Sequence, residues 1–337
     1  GGSPIDTEFG HDGELYVADY ARNGGNVFVL QNQQAMRRPS VIEAAKVLRQ
    51  SFADFANEQL YELLAQRDQR VRLQAQFELA ARGATDWLVK AATTPVPEIS
   101  EGEPFNGPML RRLHGIWGLG QTAKTEPLLP LLRDPYFRIR AQSAKILGDH
   151  RAGAAAPGLL PLLEDESPRV QAFAATALGK IQHRPAVPAL IDLLVRTDNA
   201  DAFLRHAAIF GLEQIGDLDA ILAYADHDSA AVRLAVLVLL RRAQDPRIAR
   251  YLNDPDPRLV RETIAAINDA RIDSAEPALA AHLRSYLKAD AVLPTTLSFD
   301  RMINAAFRQG QADTLRTLLD VGAATHLPER IRSAALF

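Results

Sequence analysis

At 337 residues the chain is too long for one small core, and 47% hydrophobic with 23% charged content is ordinary for a folded protein. A formal charge of -3 provides no basic surplus for phosphates, which makes nucleic acid a poor principal partner. The sequence has no cysteine, which excludes a disulfide, a thiolate nucleophile, an iron–sulfur cluster and a thioether-linked haem within it.

The opening Gly1-Gly2-Ser3 lacks a methionine and resembles no signal peptide, and Phe337 ends the sequence inside an apolar helical pattern, so it reads as a piece of a longer chain. Thr7 to Phe9, Leu15 to Tyr20 and Asn26 to Leu30 are predicted strands, separated by turn signals at Asp12-Gly13 and Asn23-Gly24-Gly25. Two or three strands cannot bury a face alone, so residues 1–32 belong to a larger sheet or lie against the first helices. Residues 33–56 read as a linker and first helix, and from about Ser40 onward the pattern is helical. The longest wholly apolar run, Leu234 to Leu240, is far short of the roughly 20 residues that span a bilayer.

An internal repeat organises residues 57–270. The position opening each second helix is Arg72, Arg112, Arg140, Gln171, Arg205, Arg233 and Arg261. Three residues on come Ala75, Gly115, Ser143, Ala174, Ala208, Val236 and Ile264. Seven on come Leu79, Leu119, Leu147, Leu178, Leu212, Leu240 and Asn268, on the same helical face. Glycines at Gly83, Gly120, Gly148, Gly179 and Gly216 are expected to close these helices in left-handed caps. The preceding helices are predicted at Glu126 to Leu132, Pro157 to Leu163, Val187 to Leu194 and Ile221 to Ala225, several with an early proline, which a first turn tolerates. An inter-helix aspartate then faces the arginine six or five residues later, as in Asp134 with Arg140 and Asp228 with Arg233.

This helix-turn-helix pattern, with its aspartate, arginine and first-helix proline, resembles HEAT repeats. The expected fold is therefore all-α, a HEAT-like α-solenoid of helical hairpins behind a short N-terminal β-meander fragment. Over residues 271–337 the pattern blurs into degenerate repeats: Ala275 to Leu287 and Phe299 to Leu319 still look helical, and Arg332 with Ala335 opens one more second helix.

A narrower resemblance rests on two stretches. Phe9-Gly10-His11-Asp12-Gly13-Glu14-Leu15-Tyr16-Val17-Ala18-Asp19 resembles a strand-turn-strand from the last blade of sorbosone-dehydrogenase-like β-propellers. It precedes Asp68-Gln69-Arg70-Val71-Arg72 and Arg112-Leu113-His114-Gly115-Ile116-Trp117. That order resembles the large multidomain haem-binding proteins of planctomycetes and verrucomicrobia. The resemblance implies a propeller before the repeats, a c-type cytochrome domain after them, a redox parent acting on sugars or alcohols, and a periplasmic or extracytoplasmic location. No Cys-x-x-Cys-His motif is present, so none of the family's redox residues maps onto this sequence.

Other motifs favour plain readings. In Gly115-Ile116-Trp117-Gly118-Leu119-Gly120 the spacing of a dinucleotide loop is reversed, which leaves close helix packing through small residues. The eight histidines form no i, i+4 pair, and His114 and His206 are expected to be partly buried and hydrogen-bonded to a neighbouring turn. Asp12 and Asp19 fit hairpin turns better than calcium. The stretch Thr94 to Pro108 carries four prolines and Glu98, Glu101, Glu103 and Phe105; it is expected to be a loop and is the first choice for a partner contact.

The sequence thus predicts no catalytic, cofactor or metal residue in this segment. It predicts a scaffold or spacer for a protein partner or a neighbouring domain, inside a larger exported, dehydrogenase-like c-type haem protein. The alternatives are a bilin-lyase-like HEAT-repeat enzyme and a free-standing cytoplasmic HEAT adaptor.

Overall fold

The computed structural model describes residues 3–10, 14–20, 25–96, 106–290 and 293–336. The chain divides into two compact units, Gly1–Ala177 and Leu178–Phe337, with the boundary inside the helix Pro168–Lys180.

The first unit opens with an antiparallel meander of β1 (Ser3–Phe9), β2 (Leu15–Tyr20) and β3 (Asn26–Leu30), in that order across the sheet. β1 begins four residues earlier than the sequence predicts, and its register with β2 is irregular between Pro4 and Asp6. Arg70, beside the first repeat anchor, ties the sheet to the helices by donating to the carbonyls of Phe9 and Gly10. After Pro39–Leu48 come the hairpins: Asn57–Leu63 with Gln69–Ala81, then Thr85–Thr93 with Gly107–Gln121. The latter pair packs closely because Gly115 has no side chain. A Cβ there would lie 2.5 Å from the backbone nitrogen of Ala92.

Two predicted first helices are not continuous. Glu126–Leu128 and Pro130–Arg133 are separate 3-10 turns, and Ala156–Leu159 passes into a 3-10 stretch at Leu160–Glu164. Pro130 and Pro161 explain the breaks: each lacks the N–H that an α-helix needs and crowds the carbonyl four residues back. The second helices of these repeats, Phe137–Asp149 and Pro168–Lys180, are regular.

In the second unit Val187–Thr197 pairs with Ala202–Ile215, Leu218–Leu222 with Ala230–Arg242, and the 3-10 segment Pro246–Asn253 with Pro257–Asp269. Beyond these, the stretch predicted at Ala275 to Leu287 is Asp273–Ala275, Glu276–His282 and Leu283–Leu287 in 3-10, α and 3-10 geometry. The stretch predicted at Phe299 to Leu319 is two helices, Thr296–Gln309 and Ala312–Ala323, divided at Gly310 with φ +58°. A last helix, Glu329–Ala334, contains Arg332.

The repeat register is visible in burial. Leu79, Leu119, Leu147, Leu178, Leu212 and Leu240, seven residues after their anchors, are all fully buried, as are Ala75, Ser143, Ala174, Ala208 and Val236 at the third position. It is also visible in the backbone. Eleven residues after each anchor stands a left-handed residue: Gly83, Ala123, Arg151, Gln182, Gly216 and Gln244. In the seventh repeat that residue is Arg271, which places the anchor at Val260 and not Arg261. Accordingly Leu259, Thr263 and Ile267 are buried there, whereas Arg261 is exposed and Asn268 is outside the core.

The glycine expectation needs the same adjustment. Of the five glycines predicted as caps, Gly83 and Gly216 are left-handed; Gly120, Gly148 and Gly179 lie inside their helices. They serve close packing: a Cβ on Gly148 would come within 2.6 Å of the Ala177 Cα.

Candidate functional site

Arg72, Arg140 and Arg233 occupy the first turn of their second helices, facing the inter-helix turn behind and the next repeat ahead, whereas Arg112 lies farther into its helix. Arg140 donates through Nη1 to the carbonyls of Asp134 at 2.8 Å and Pro135 at 3.1 Å. Its Nε and Nη2 grip the Asp165 carboxylate at 2.7 and 2.9 Å. Arg233 repeats this arrangement, with the carbonyls of His227 and Asp228 both at 2.8 Å and Asp254 held at 2.8 and 3.1 Å. Arg112 holds Asp134 with both Nη atoms and the Ala92 carbonyl with Nε at 2.7 Å. Each aspartate also accepts a backbone N–H two residues on, from Tyr136, Ser167 and Asp256, so the carboxylate is fixed by its own turn before the guanidinium reaches it.

The ladder therefore differs from the expected pairing. Arg140 meets Asp134, and Arg233 meets Asp228, only through backbone carbonyls; the ion pairs join one repeat to the next. The carboxylate bonds raise the Arg140 and Arg233 pKa values further above the ordinary guanidinium range. Two positions depart from the pattern: Gln171 reaches only the Asp165 carbonyl, at 2.6 Å, and Arg205 reaches the Asn199 side chain at 3.4 Å.

The first rung has different chemistry. Arg72 holds the carbonyls of Gln66 and Arg67 at 2.6 and 2.8 Å, but its Nε donates to His114 Nε2 at 3.1 Å. Nε2 must then be the acceptor, so the proton sits on Nδ1 and is donated to Gln76 Oε1 at 2.7 Å. Gln76 in turn donates to Gln121 Oε1 at 3.0 Å. His114 is 1% exposed. Burial first, and then the Arg72 charge, push its pKa down to about 4, so it is neutral at pH 7. With both ring nitrogens engaged and no solvent access, it has no free site for a substrate proton or a metal. The expected partner was a neighbouring turn; the observed partners are two side chains.

Close by, the Lys90 ammonium lies 4.6 Å from the Tyr61 ring centroid and 4.5 Å from that of Trp87, and the Arg111 guanidinium lies 4.4 Å from Tyr61. The Tyr61 hydroxyl shares a hydrogen bond with Thr94 at 2.9 Å, and Tyr136 donates to the Val96 carbonyl at 3.3 Å. The proposed contact residues Glu98, Glu101, Glu103 and Phe105 lie outside the described residues, as do Asp12 and His11. Asn106 caps the helix Gly107–Gln121, so Pro108 belongs to that helix and not to the loop.

In the second unit an exposed face went unnoticed in the sequence. Phe203 is 84% exposed, the largest value for any large apolar side chain described. His206, expected to be partly buried, is exposed instead and stacks on Phe210 with ring centroids 6.4 Å apart. The signal was present in the spacing. Phe203, His206 and Phe210 lie three and four residues apart on one face of a helix whose opposite face already carries Leu204, Ala208 and Leu212.

Among the described residues no group of histidine, aspartate and glutamate side chains is placed to hold a metal ion, and no helix is long and apolar enough to cross a membrane. Residues 125–213 match the family model for HEAT repeats. No curated protein matches the sequence. Among solved structures, the complex of CpcE and CpcF of phycocyanin lyase from Nostoc sp. PCC7120 is 19% identical, with 75% of this chain and 92% of that one covered and a TM-score of 0.37. Kap121p is 14% identical over 91% of this chain and 35% of its own, with a TM-score of 0.45. Human deoxyhypusine hydroxylase is 15% identical over 83% and 93%, with a TM-score of 0.27. The repeat geometry and the family-model match together make the fold a HEAT-repeat helical solenoid.

Proposed function

We propose that this chain is a non-catalytic HEAT-repeat spacer that holds neighbouring domains, and that its parent is the exported, dehydrogenase-like c-type haem protein implied by the sequence resemblance. The observation that carries the spacer reading is the state of the N-terminal sheet. Val27, Phe28, Val29 and Leu30 alternate between the two faces of β3, yet all four are 45% to 66% exposed. Consecutive apolar residues on both faces suit a strand covered on both sides, as inside a larger β domain. Arg70 joins that sheet to the repeats through two backbone carbonyls, which suits a firm junction between a β domain and the solenoid.

The polar groups support the non-catalytic part. The ladder arginines and aspartates bind one another, and the buried His114 is closed off by Arg72 and Gln76. With no cysteine in this sequence, a thioether-bound haem would be carried by another part of the parent. The test is to purify the parent protein encoded by the whole gene, record its reduced absorption spectrum and assay oxidation of sugars and alcohols. A c-type haem spectrum with such turnover is expected, together with neither signal from residues 1–337 alone. A parent with no haem absorbance and no oxidation would overturn the assignment of the parent.

A further inference from the structure

The N-terminal sheet has one obstructed edge and one open edge. On the obstructed side β1 carries Pro4 and the irregular register between Pro4 and Asp6, and its Phe9 carbonyl already accepts from Arg70. On the open side β3 is the last strand, and residues 25–34 are exposed without a break. No proline and no charged side chain occurs from Asn26 to Met36, so this edge has none of the devices that keep edge strands apart.

The register fixes which groups the open edge presents. The Gly10 N–H donates to the Glu14 carbonyl at 2.8 Å, which makes these two a hydrogen-bonded pair at the β1–β2 turn. Alternation then points the backbone N–H and C=O of Tyr16 and Ala18 toward β1, and those of Leu15, Val17 and Asp19 toward β3. Leu30, Phe28 and Asn26 stand opposite the latter three and bond to them. The N–H and C=O groups of Val27 and Val29 therefore point away from the sheet, and among the described residues no strand lies there to pair with them.

We infer that β3 pairs edge to edge with β3 of a second copy of this chain, antiparallel about a two-fold axis at Phe28. The edge calls for an extended strand, and β3 is its own complement. Val27 and Val29 lie symmetrically about Phe28, so Val27 of each copy stands opposite Val29 of the other and exchanges two N–H···O bonds with it. Phe28 meets Phe28 in a non-hydrogen-bonded pair, where side chains come closest and the two rings pack. With no charge on the segment, neither copy repels the other. A β domain packed on the faces of the sheet leaves this edge as it is, so the inference does not rest on the parent assigned above.

The test uses the full chain. Sedimentation at rising concentration should show monomer passing into dimer. Val29→Pro removes an outward N–H without touching the bonds to β2, and should weaken the dimer about tenfold, since two hydrogen bonds are lost per dimer. Because the sequence has no cysteine, a single introduced thiol reports the register. In Phe28→Cys the two Cα atoms would lie about 4.5 Å apart, within disulfide reach, and the dimer should cross-link about tenfold faster under mild oxidation than that of Val27→Cys, whose thiols are out of line along the strands. Circular dichroism of each variant checks that the helices persist. A monomer at every concentration, or equal cross-linking of the two cysteine variants, overturns the proposal. So does a dimer that Val29→Pro leaves intact, since another surface, such as the exposed Phe203 face, would then hold it. The haem and turnover assays of the parent are independent of each outcome.

Discussion

The Arg72 and Arg140 rungs begin alike and end differently. Both arginines open a second helix and both donate to two carbonyls of their own turn. Ahead of Arg140 stands a carboxylate; ahead of Arg72 stands a neutral imidazole. Burial lowers the Arg72 pKa, whereas the Asp165 hydrogen bond raises that of Arg140. The same helical position thus joins neighbouring repeats by an ion pair in one place and by a neutral hydrogen-bond chain in another. Position is set by the repeat; the dependence on charge and pH is set by the residue that the next repeat supplies.

The largest effect should come from removing the carboxylate. Asp165→Ala leaves the buried Arg140 guanidinium with only the exposed Glu166 carboxylate, at 3.4 Å, and the turn without its Ser167 N–H acceptor. A loss of about 3–5 kcal/mol is expected from urea denaturation. A loss below about 1 kcal/mol would show that water replaces the aspartate and that the ladder contributes little. Gln76→Ala, which breaks a neutral link at the first rung, should cost less, about 1–3 kcal/mol.

Acid should separate the rungs further. Burial and the Arg72 charge hold the His114 pKa at about 4 in the folded chain, below the ordinary imidazole value of 6.5, so the unfolded state takes up a proton first as the pH falls. Its contribution is complete above pH 6.5 and is lost progressively down to about pH 4, an upper limit of roughly 3 kcal/mol. Aspartates whose pKa is lowered by arginine hydrogen bonds, such as Asp245 and Asp256, lose their contribution at lower pH, below the ordinary carboxylate range. Denaturation midpoints of wild type and His114→Gln between pH 7 and pH 4 distinguish the two. The variant should show a flatter slope over this window, and an unchanged slope would remove His114 as the titrating group.

How much of this was legible in the sequence follows from periodicity. The leucines at the seventh position and the small residues at the third lie on one helix face, and side-chain size alone identified them. The seventh anchor was misplaced because Arg261 imitates the arginine of the other repeats, although Leu259, Thr263 and Ile267 carry the buried spacing one residue earlier. Pro130 and Pro161 were visible, but the 3-10 geometry they impose follows from hydrogen bonds that a pattern of leucines does not encode. The ladder partners were misassigned because Asp134 is near Arg140 in sequence while its carboxylate is nearer Arg112 in space. The Phe203 face was missed because attention to the buried stripe leaves the opposite stripe unread.

The smallest expected effect concerns the backbone. Eleven residues after the anchors, Gly83 and Gly216 adopt φ of +63° and +72°, but Ala123, Arg151, Gln182 and Gln244 adopt +51° to +59° with a Cβ that opposes that conformation. The repeat imposes the left-handed turn whichever residue fills it. Arg151→Gly should therefore stabilise the first unit by roughly 0.5–1 kcal/mol, because relief of the strained φ outweighs the added freedom of the unfolded chain. Gly216→Ala should destabilise the second unit by a similar amount. Thermal denaturation of the two variants gives opposite shifts if the turn is set by packing between the helices. Two shifts of the same sign would mean that the residue type sets the backbone at these turns, and that the common register at Arg72 and Arg140 arises from local preference instead of the repeat interface.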